Sequence, residues 1–223
     1  MEELTEYSFS IRPDELSRKD LWFAMGYGTA QPDERIASYS EECIRELVPV
    51  ATMRYMYRIV PACRVSPVRM KMDGVEFKPG GIICSYLDGM DRACLFVATA
   101  GYEFCERLRR INSGGDIFHA FVADAIGTVL AELALSRLEL GFGTGKTLSM
   151  PYSPGYCGWD IREQHQLFSL LPPDPCGIRL SDSSLMLPEK SVSGFFALGE
   201  ELVRQPYHCE ICKNSKCYKR RKG

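Results

Sequence analysis

Three groups of residues have the types and spacing to do chemistry. The first is "GFGTGKT", Gly141 to Thr147, where glycine-loop amides followed by a lysine suit a phosphate group. The second is "YSPGYCGWD", Tyr152 to Asp160. Here Pro154 fixes one backbone angle, Gly155 permits a positive φ, and Tyr152 and Tyr156 offer flat surfaces to a base or a macrocycle. The third is "HCEICKNSKCYKRRKG", His208 to Gly223. Its Cys209 and Cys212 form a Cys-x-x-Cys pair that reaches one metal from a tight turn, with Cys217 after four spacers and His208 adjacent to complete the set.

The phosphate reading fails on count and on order. A Walker loop needs a glycine four spacers before its Gly-Lys-Ser/Thr, and that position is Leu140. The motif also runs strand, loop, helix, whereas here a helix precedes the glycines and a strand is expected after them. Gly141 is therefore expected to end a helix. The tail leaves two readings open: a zinc or iron-sulfur site on Cys209, Cys212, Cys217 and His208, or a reduced basic tail that attracts an acidic surface. His119 and His165 have no sequence neighbour that makes a nucleophile dyad, and Cys157 beside Tyr156 reads first as a packing residue.

Composition bounds the rest. With 223 residues, 45% apolar and 25% charged, the chain has the makings of a globular domain with a full core. Its start lacks a signal-peptide pattern and its most apolar run, "ACLFVATAG", is too short to span a bilayer, so a cytoplasmic protein without a membrane partner is expected. In that compartment ten cysteines read as thiols or metal ligands rather than disulfides. The net charge of −2 includes six Lys or Arg within residues 213–222, which leaves about −8 on the remainder. Such a body is not expected to bind nucleic acid.

The elements that must position these groups follow from periodicity. "YSFSIR" alternates as a strand, a helix enters at Pro13 and closes at Gly26, and a second helix after "QPD" repeats Ile36, Tyr39, Cys43, Ile44 and Leu47 on one face. "TMRYMYRIV" alternates as a half-buried strand, followed by a Pro/Gly-rich loop, a short helix around "GIICSYLDGMDR", and a buried strand over residues 93–100. The longest helix is expected from Asp116 to about Leu140, its apolar face marked by Phe118, Phe121, Val122, Ala125, Val129 and Leu133. "KTLSM" reads as a strand, "DIREQHQLFSLL" as a helix capped by Asp160 and stopped by Pro172 and Pro173, "CGIRL" as a strand, and "SLMLPEKSVSGFFAL" as two strands joined at Pro188 to Lys190. An α+β domain over residues 1–203 is expected, long helices on a twisted antiparallel β-sheet, with 204–223 as a basic cysteine-containing tail.

The segment from "SPGY" through "LFSLL" to "GIRLSDSSLMLPEKSVSGFFALG" resembles the S-adenosylmethionine-binding reactivation domain of cobalamin-dependent methionine synthase. That domain carries Gly-Tyr, a short helix, Gly-x-x-Leu-Thr-Glu-Ser-x-x-Met-x-Pro and Ser-Val-Ser-Gly. The likeness is specific over about residues 150–199. "FVATAGYEF" and "ADAIGTVLAELA" extend it weakly back to about residue 20, towards small stand-alone relatives with a cysteine-bearing tail.

The resemblance implies a component of methionine synthase activity rather than a complete enzyme. In the family, cob(I)alamin that has oxidised to inert cobalt(II) is rescued by one-electron reduction and capture of the methyl group of S-adenosylmethionine. The implied cofactors are S-adenosylmethionine and a cobalamin on the partner; the implied partners are a cobalamin-binding methionine synthase or other corrinoid protein and an electron donor such as a flavodoxin. Gly155 and Tyr156 match the family's Gly-Tyr, with the tyrosine towards the corrin, and Ser153 and Pro154 share the turn as backbone contacts. Phe196 and Ala197 fall where the strand after Ser-Val-Ser-Gly packs on the ligand. The family's arginine falls on Pro151, and its acidic contact falls on Thr128, with Glu132 one turn later. Glu132 and Asp124 are candidates for steadying the ligand's sulfonium or ammonium group, or else sit on the solvated side of a long helix.

Overall fold

The computed structural model describes residues 4–142 and 148–205. Strand β1 (Glu6–Phe9) leads through a 3-10 turn at Pro13–Glu15 to helices α1 (Arg18–Ala24) and α2 (Glu34–Leu47). The helix expected from Pro13 is thus divided: the proline starts only the 3-10 turn, and Ser17 caps α1 by accepting from the amide of Asp20. Strand β2 (Met53–Ser66) is longer than expected, and the residues read as a Pro/Gly loop continue it into β3 (Arg69–Met72) and β4 (Val75–Phe77). This meander escapes the sequence pattern because Pro61 lies within β2 and Asp73–Gly74 takes positive φ at the turn. Helix α3 (Gly80–Cys84) and strand β5 (Arg92–Thr99) follow.

Helix α4 (Tyr102–Ser113) has no counterpart among the expected elements, although Phe104, Cys105, Leu108 and Ile111 recur at helical spacing and are buried. It begins at Gly101, with φ 102°, because a side chain there would run into the Thr52 carbonyl. Helix α5 (Ile117–Gly141) is capped by the Asp116 side chain, which accepts from the His119 amide, and its last helical residue is Gly141. Then come α6 (Gln164–Ser169), β6 (Arg179–Leu180), β7 (Met186–Leu187) and β8 (Ser191–Leu198). Asp160 caps a 3-10 turn ahead of α6 rather than α6 itself. The "KTLSM" strand is not formed over its described residues: Leu148 and Tyr152 make single bridges to Leu198 and Phe195.

The main sheet is antiparallel throughout, in the order β4-β3-β2-β5-β8, with β1 pairing with the first part of β2. Both faces are covered. On one, Tyr55, Tyr57, Cys94, Phe96, Ala98, Phe196 and Leu198 meet α1, α2, α4 and α5; on the other, Met56, Val60, Leu95, Val97, Phe195 and Ala197 meet Met70, Phe77, Tyr152, Trp159 and Leu167. Two-sided burial explains why residues 93–98 are continuously apolar instead of alternating. The architecture is α+β, helices against an antiparallel sheet.

Helix α5 is central. It is long and apolar enough to cross a bilayer, yet it packs against α1, α2, α4 and the sheet, so its apolarity follows from burial. Of the residues expected on its buried face, Val122, Ala125 and Val129 are buried but Phe118 and Phe121 are exposed. A narrow stripe stays open or half open: Phe121, Asp124, Thr128, Glu132 and Ser136.

Candidate functional site

The "YSPGYCGWD" segment folds as two interlocked turns. In the first, Pro154 and Gly155 are the central pair, Gly155 has φ 92°, and the Tyr156 amide donates to the Ser153 carbonyl at 3.1 Å, the pattern of a type II turn. In the second, Cys157 and Gly158 both take positive φ (52° and 84°), and the Trp159 amide donates to the Tyr156 carbonyl at 2.8 Å, as in a type I′ turn. The Gly155 amide donates to the Trp159 carbonyl at 2.9 Å and locks the two together. The amides of Gly155 and Tyr156 are thereby spent inside the turn.

Trp159 anchors it from below. The indole is 2% exposed, packs edge-on to Phe77 and Phe195, and donates from Nε1 to Glu163 Oε2 at 2.6 Å. The same carboxylate oxygen accepts from the Lys78 amide at 2.9 Å, so Glu163 ties the turn to the end of the β3-β4 hairpin. Asp160 accepts from Arg162 through side chain and backbone, which holds its carboxyl down at about 2.

From the side, the turn leans on β8. Tyr152 and Phe195 exchange both backbone hydrogen bonds at 2.9 Å, and Ser149 accepts the Ala197 amide on its Oγ at 2.9 Å. This approach requires Gly194: a Cβ there would lie 2.8 Å from Ser153 Oγ and 3.0 Å from Phe96 Cζ, and closer still to the Tyr152 carbonyl oxygen. The glycine of "SVSG" is therefore where the turn's backbone meets the sheet. Next to it, Ser193 is 2% exposed and its Oγ has no hydrogen-bond partner among the described atoms.

The predicted residues separate by environment. Tyr152 is 2% exposed, stacked on Tyr86 at 6.4 Å and tilted against Phe195, and burial pushes its hydroxyl well above the ordinary phenol range. It belongs to the core, so Tyr156, 37% exposed, is the ring the turn presents outward. Pro154 is buried, Ser153 half-buried and Gly155 exposed. Phe196 and Ala197 lie on opposite faces of β8, both fully buried; Phe196 packs on Phe96 at 5.0 Å beneath α5, and the neighbour that faces the turn is Phe195. Strand alternation decides this, and it was legible only once the register was known. Glu132 is half-buried on the α5 stripe. Pro151 is half-buried and brings no charge.

Sequence reasoning passed over Lys190. Its Nζ lies 2.8 Å from Asp124 Oδ1 and donates to Thr128 Oγ1 at 3.0 Å, with the lysine side chain 14% exposed and the aspartate 60%. The lysine stem runs against α5 where Gly127 has no side chain, since a Cβ there would lie 2.8 Å from Lys190 Cγ. A signal existed: a lysine between a strand pair and "SVSG", opposite a helix bearing Asp124. Its meaning depended on a contact 62 residues away.

The His208, Cys209, Cys212 and Cys217 set and the "GTGKT" glycines lie outside the described residues. Among the described residues no group of three or more His, Cys, Asp or Glu is placed to hold a metal. An open hollow of about 500 Å³ lies elsewhere, lined by His165, Phe168, Pro172, Pro173 and Arg179 among others, and includes none of the predicted ligand residues.

Residues 146–223 match the family model described as vitamin B12 dependent methionine synthase, activation domain. The match contains the double turn, α6, β6 to β8 and the cysteine tail. The fold of the whole agrees: the crystal structure of the MetH reactivation domain bound to AdoHcy superposes with a TM-score of 0.67 at 17% identity, over 92% of this chain and 81% of that one. No curated protein matches the sequence. The activation-domain fold therefore extends through the N-terminal helices, where the sequence likeness is weak.

Proposed function

We propose that this chain is an accessory protein for the reductive reactivation of a cobalamin-dependent methionine synthase or a related corrinoid methyltransferase. In this reading it holds S-adenosylmethionine between the α5 stripe and the double turn and docks on a separate corrinoid domain. The supporting observation is the double turn itself, pinned to β8 through Gly194 and to β4 through Glu163 so that Tyr156 faces outward. Rigid support of this kind is what a site for a defined ligand requires.

The local chemistry fits that ligand. The α5 stripe offers Asp124 and Glu132 to a molecule carrying positive charge. When bound, S-adenosylmethionine supplies a sulfonium methyl group for capture by reduced cobalt on the partner. Ser153, Pro154 and Gly155 form the wall that orients it, Tyr156 covers the corrin side, and Tyr152, Phe195 and Ala197 back the wall from the core, while Phe196 lies beneath α5. Glu132 steadies the sulfonium through its charge. Calorimetric titration with S-adenosylmethionine tests this: saturable binding is expected, and no heat up to millimolar ligand removes the adenosyl half of the reading.

A second reading has an observation in its favour. The amides of Gly155 and Tyr156 are occupied and Pro151 carries no charge, so the turn supplies no anchor for a carboxylate. The chain then acts as a redox or docking factor for a corrinoid protein, with zinc or an iron-sulfur cluster on Cys209, Cys212, Cys217 and His208 and electrons received from a donor such as a flavodoxin. Metal analysis and visible spectra of anaerobically purified protein separate the two: a brown cluster with no adenosyl binding selects this one.

A further inference from the structure

We propose that Lys190 is the cation that receives the carboxylate of the bound adenosyl amino acid, with Asp124 turning to its ammonium group. This rests on the reading of the double turn as an S-adenosylmethionine site and supplies the anchor that the turn lacks. A zwitterionic amino acid end needs one cation and one anion close together, and it is bound most strongly where both are already held in place.

Lys190 and Asp124 are such a pair. They meet at 2.8 Å on the open stripe of α5, and the aspartate is well exposed while the lysine is mostly covered. The lysine is threaded between helix and sheet: its stem passes Gly127, its carbonyl accepts from the Ala100 amide at 2.8 Å and from Thr99 Oγ1 at 3.1 Å, and Thr128 Oγ1 accepts one hydrogen bond from its ammonium group. Its rotamer freedom is already lost, so binding costs little further ordering. The neighbouring Glu189 is engaged by Arg109 at 3.0 Å and does not compete for Nζ. Asp124 can leave for the ligand's ammonium without baring a buried charge, because the incoming carboxylate replaces it on Lys190.

Position agrees with this. Lys190 immediately precedes β8, three residues before Ser193 and four before Gly194, where the turn reaches the strand. At about 3.3 Å per strand residue the separation is roughly 10–13 Å, the reach of an extended adenosyl amino acid. The amino acid end then sits at Lys190 and the adenosyl end at the turn, with Glu132 further along the same helix stripe.

The test is a cycle of two ligands and two forms of the protein, read by calorimetry. S-adenosylmethionine and its decarboxylated analogue are titrated into the unaltered chain and into Lys190→Met, with thermal unfolding confirming that the variant is folded. The unaltered chain is expected to prefer the carboxylate-bearing ligand by about tenfold or more, and Lys190→Met to lose that preference to within about twofold. Lys190→Arg is expected to keep it and serves where the methionine variant does not fold. If Lys190 only clamps α5 to the sheet, both ligands weaken by the same factor and the preference survives, which overturns the assignment. If the unaltered chain binds neither ligand, the adenosyl reading falls and takes this one with it. Binding that is equal for the two ligands removes the carboxylate anchor alone.

Discussion

Replacing Gly194 by alanine should separate the turn from the sheet. The new methyl group would sit 2.8 Å from Ser153 Oγ and 3.0 Å from Phe96 Cζ, and nearer still to the Tyr152 carbonyl oxygen. Phe96 is buried under α5 and cannot withdraw, and the carbonyl is held by the Phe195 amide at 2.9 Å, so the chain at Tyr152–Ser153 must move. Overpacking of this kind costs about 1–3 kcal/mol. The pair of backbone hydrogen bonds between Tyr152 and Phe195 is weakened with it, at about 0.5–1.5 kcal/mol each. A loss of about 2–6 kcal/mol in unfolding free energy is expected by urea titration. Trp159 reports the location. In a Trp22→Phe background it is the only tryptophan, and a red-shifted emission in Gly194→Ala would register water at the indole. A variant within about 0.5 kcal/mol of the parent, with unshifted Trp159 emission, would refute the claim that Gly194 exists for this contact.

Glu163→Ala removes the acceptor shared by Trp159 Nε1 and the Lys78 amide and should cost about 2–3 kcal/mol in urea, whereas Glu163→Gln, which keeps an oxygen there, should cost clearly less. Acid should loosen the segment after the turn: the Asp160 carboxyl is held down to about 2 by Arg162, so its contribution is complete above the ordinary carboxylate range near 4 and is lost as pH falls through about 2. Asp160→Asn should flatten that part of the stability profile. At the alkaline end the sign reverses, because burial pushes the Cys43 and Cys84 thiols up to about 11 and Cys176 up to about 12; the stability they contribute is intact below about 9 and is lost as pH rises through those values. Under native conditions at pH 8, mass-spectrometric mapping of alkylation should find Cys63 modified and Cys43, Cys84 and Cys176 protected.

By itself the sequence determined the local conformations. Pro154-Gly155 dictated a turn with positive φ, Asp116 and Gly141 bounded α5, Asp160 announced a cap, and Pro188 separated two strands; each rests on backbone angles or cap bonds that one or two residues decide alone. The α+β class followed from the elements so bounded, and the family resemblance over residues 150–199 from the motifs that run from "SPGY" to "SVSG".

What only the tertiary structure decided is which side chains share a space. Tyr152 and Tyr156 flank one turn and look alike in sequence, but strand pairing with Phe195 buries the first and exposes the second. Phe195 and Phe196 differ by one step of the pleat, and that step puts one under the turn and the other under α5. The two-sided burial of the sheet erased the alternation that marks an exposed face, and α5 carries the apolar Phe118 and Phe121 on its open side as well as apolar residues on its buried one, so apolar spacing alone does not mark which face packs. Lys190 had no local pattern, since a lysine's role is set by the charges it meets: Asp124 and Thr128 reach it only because β8 and α5 lie side by side.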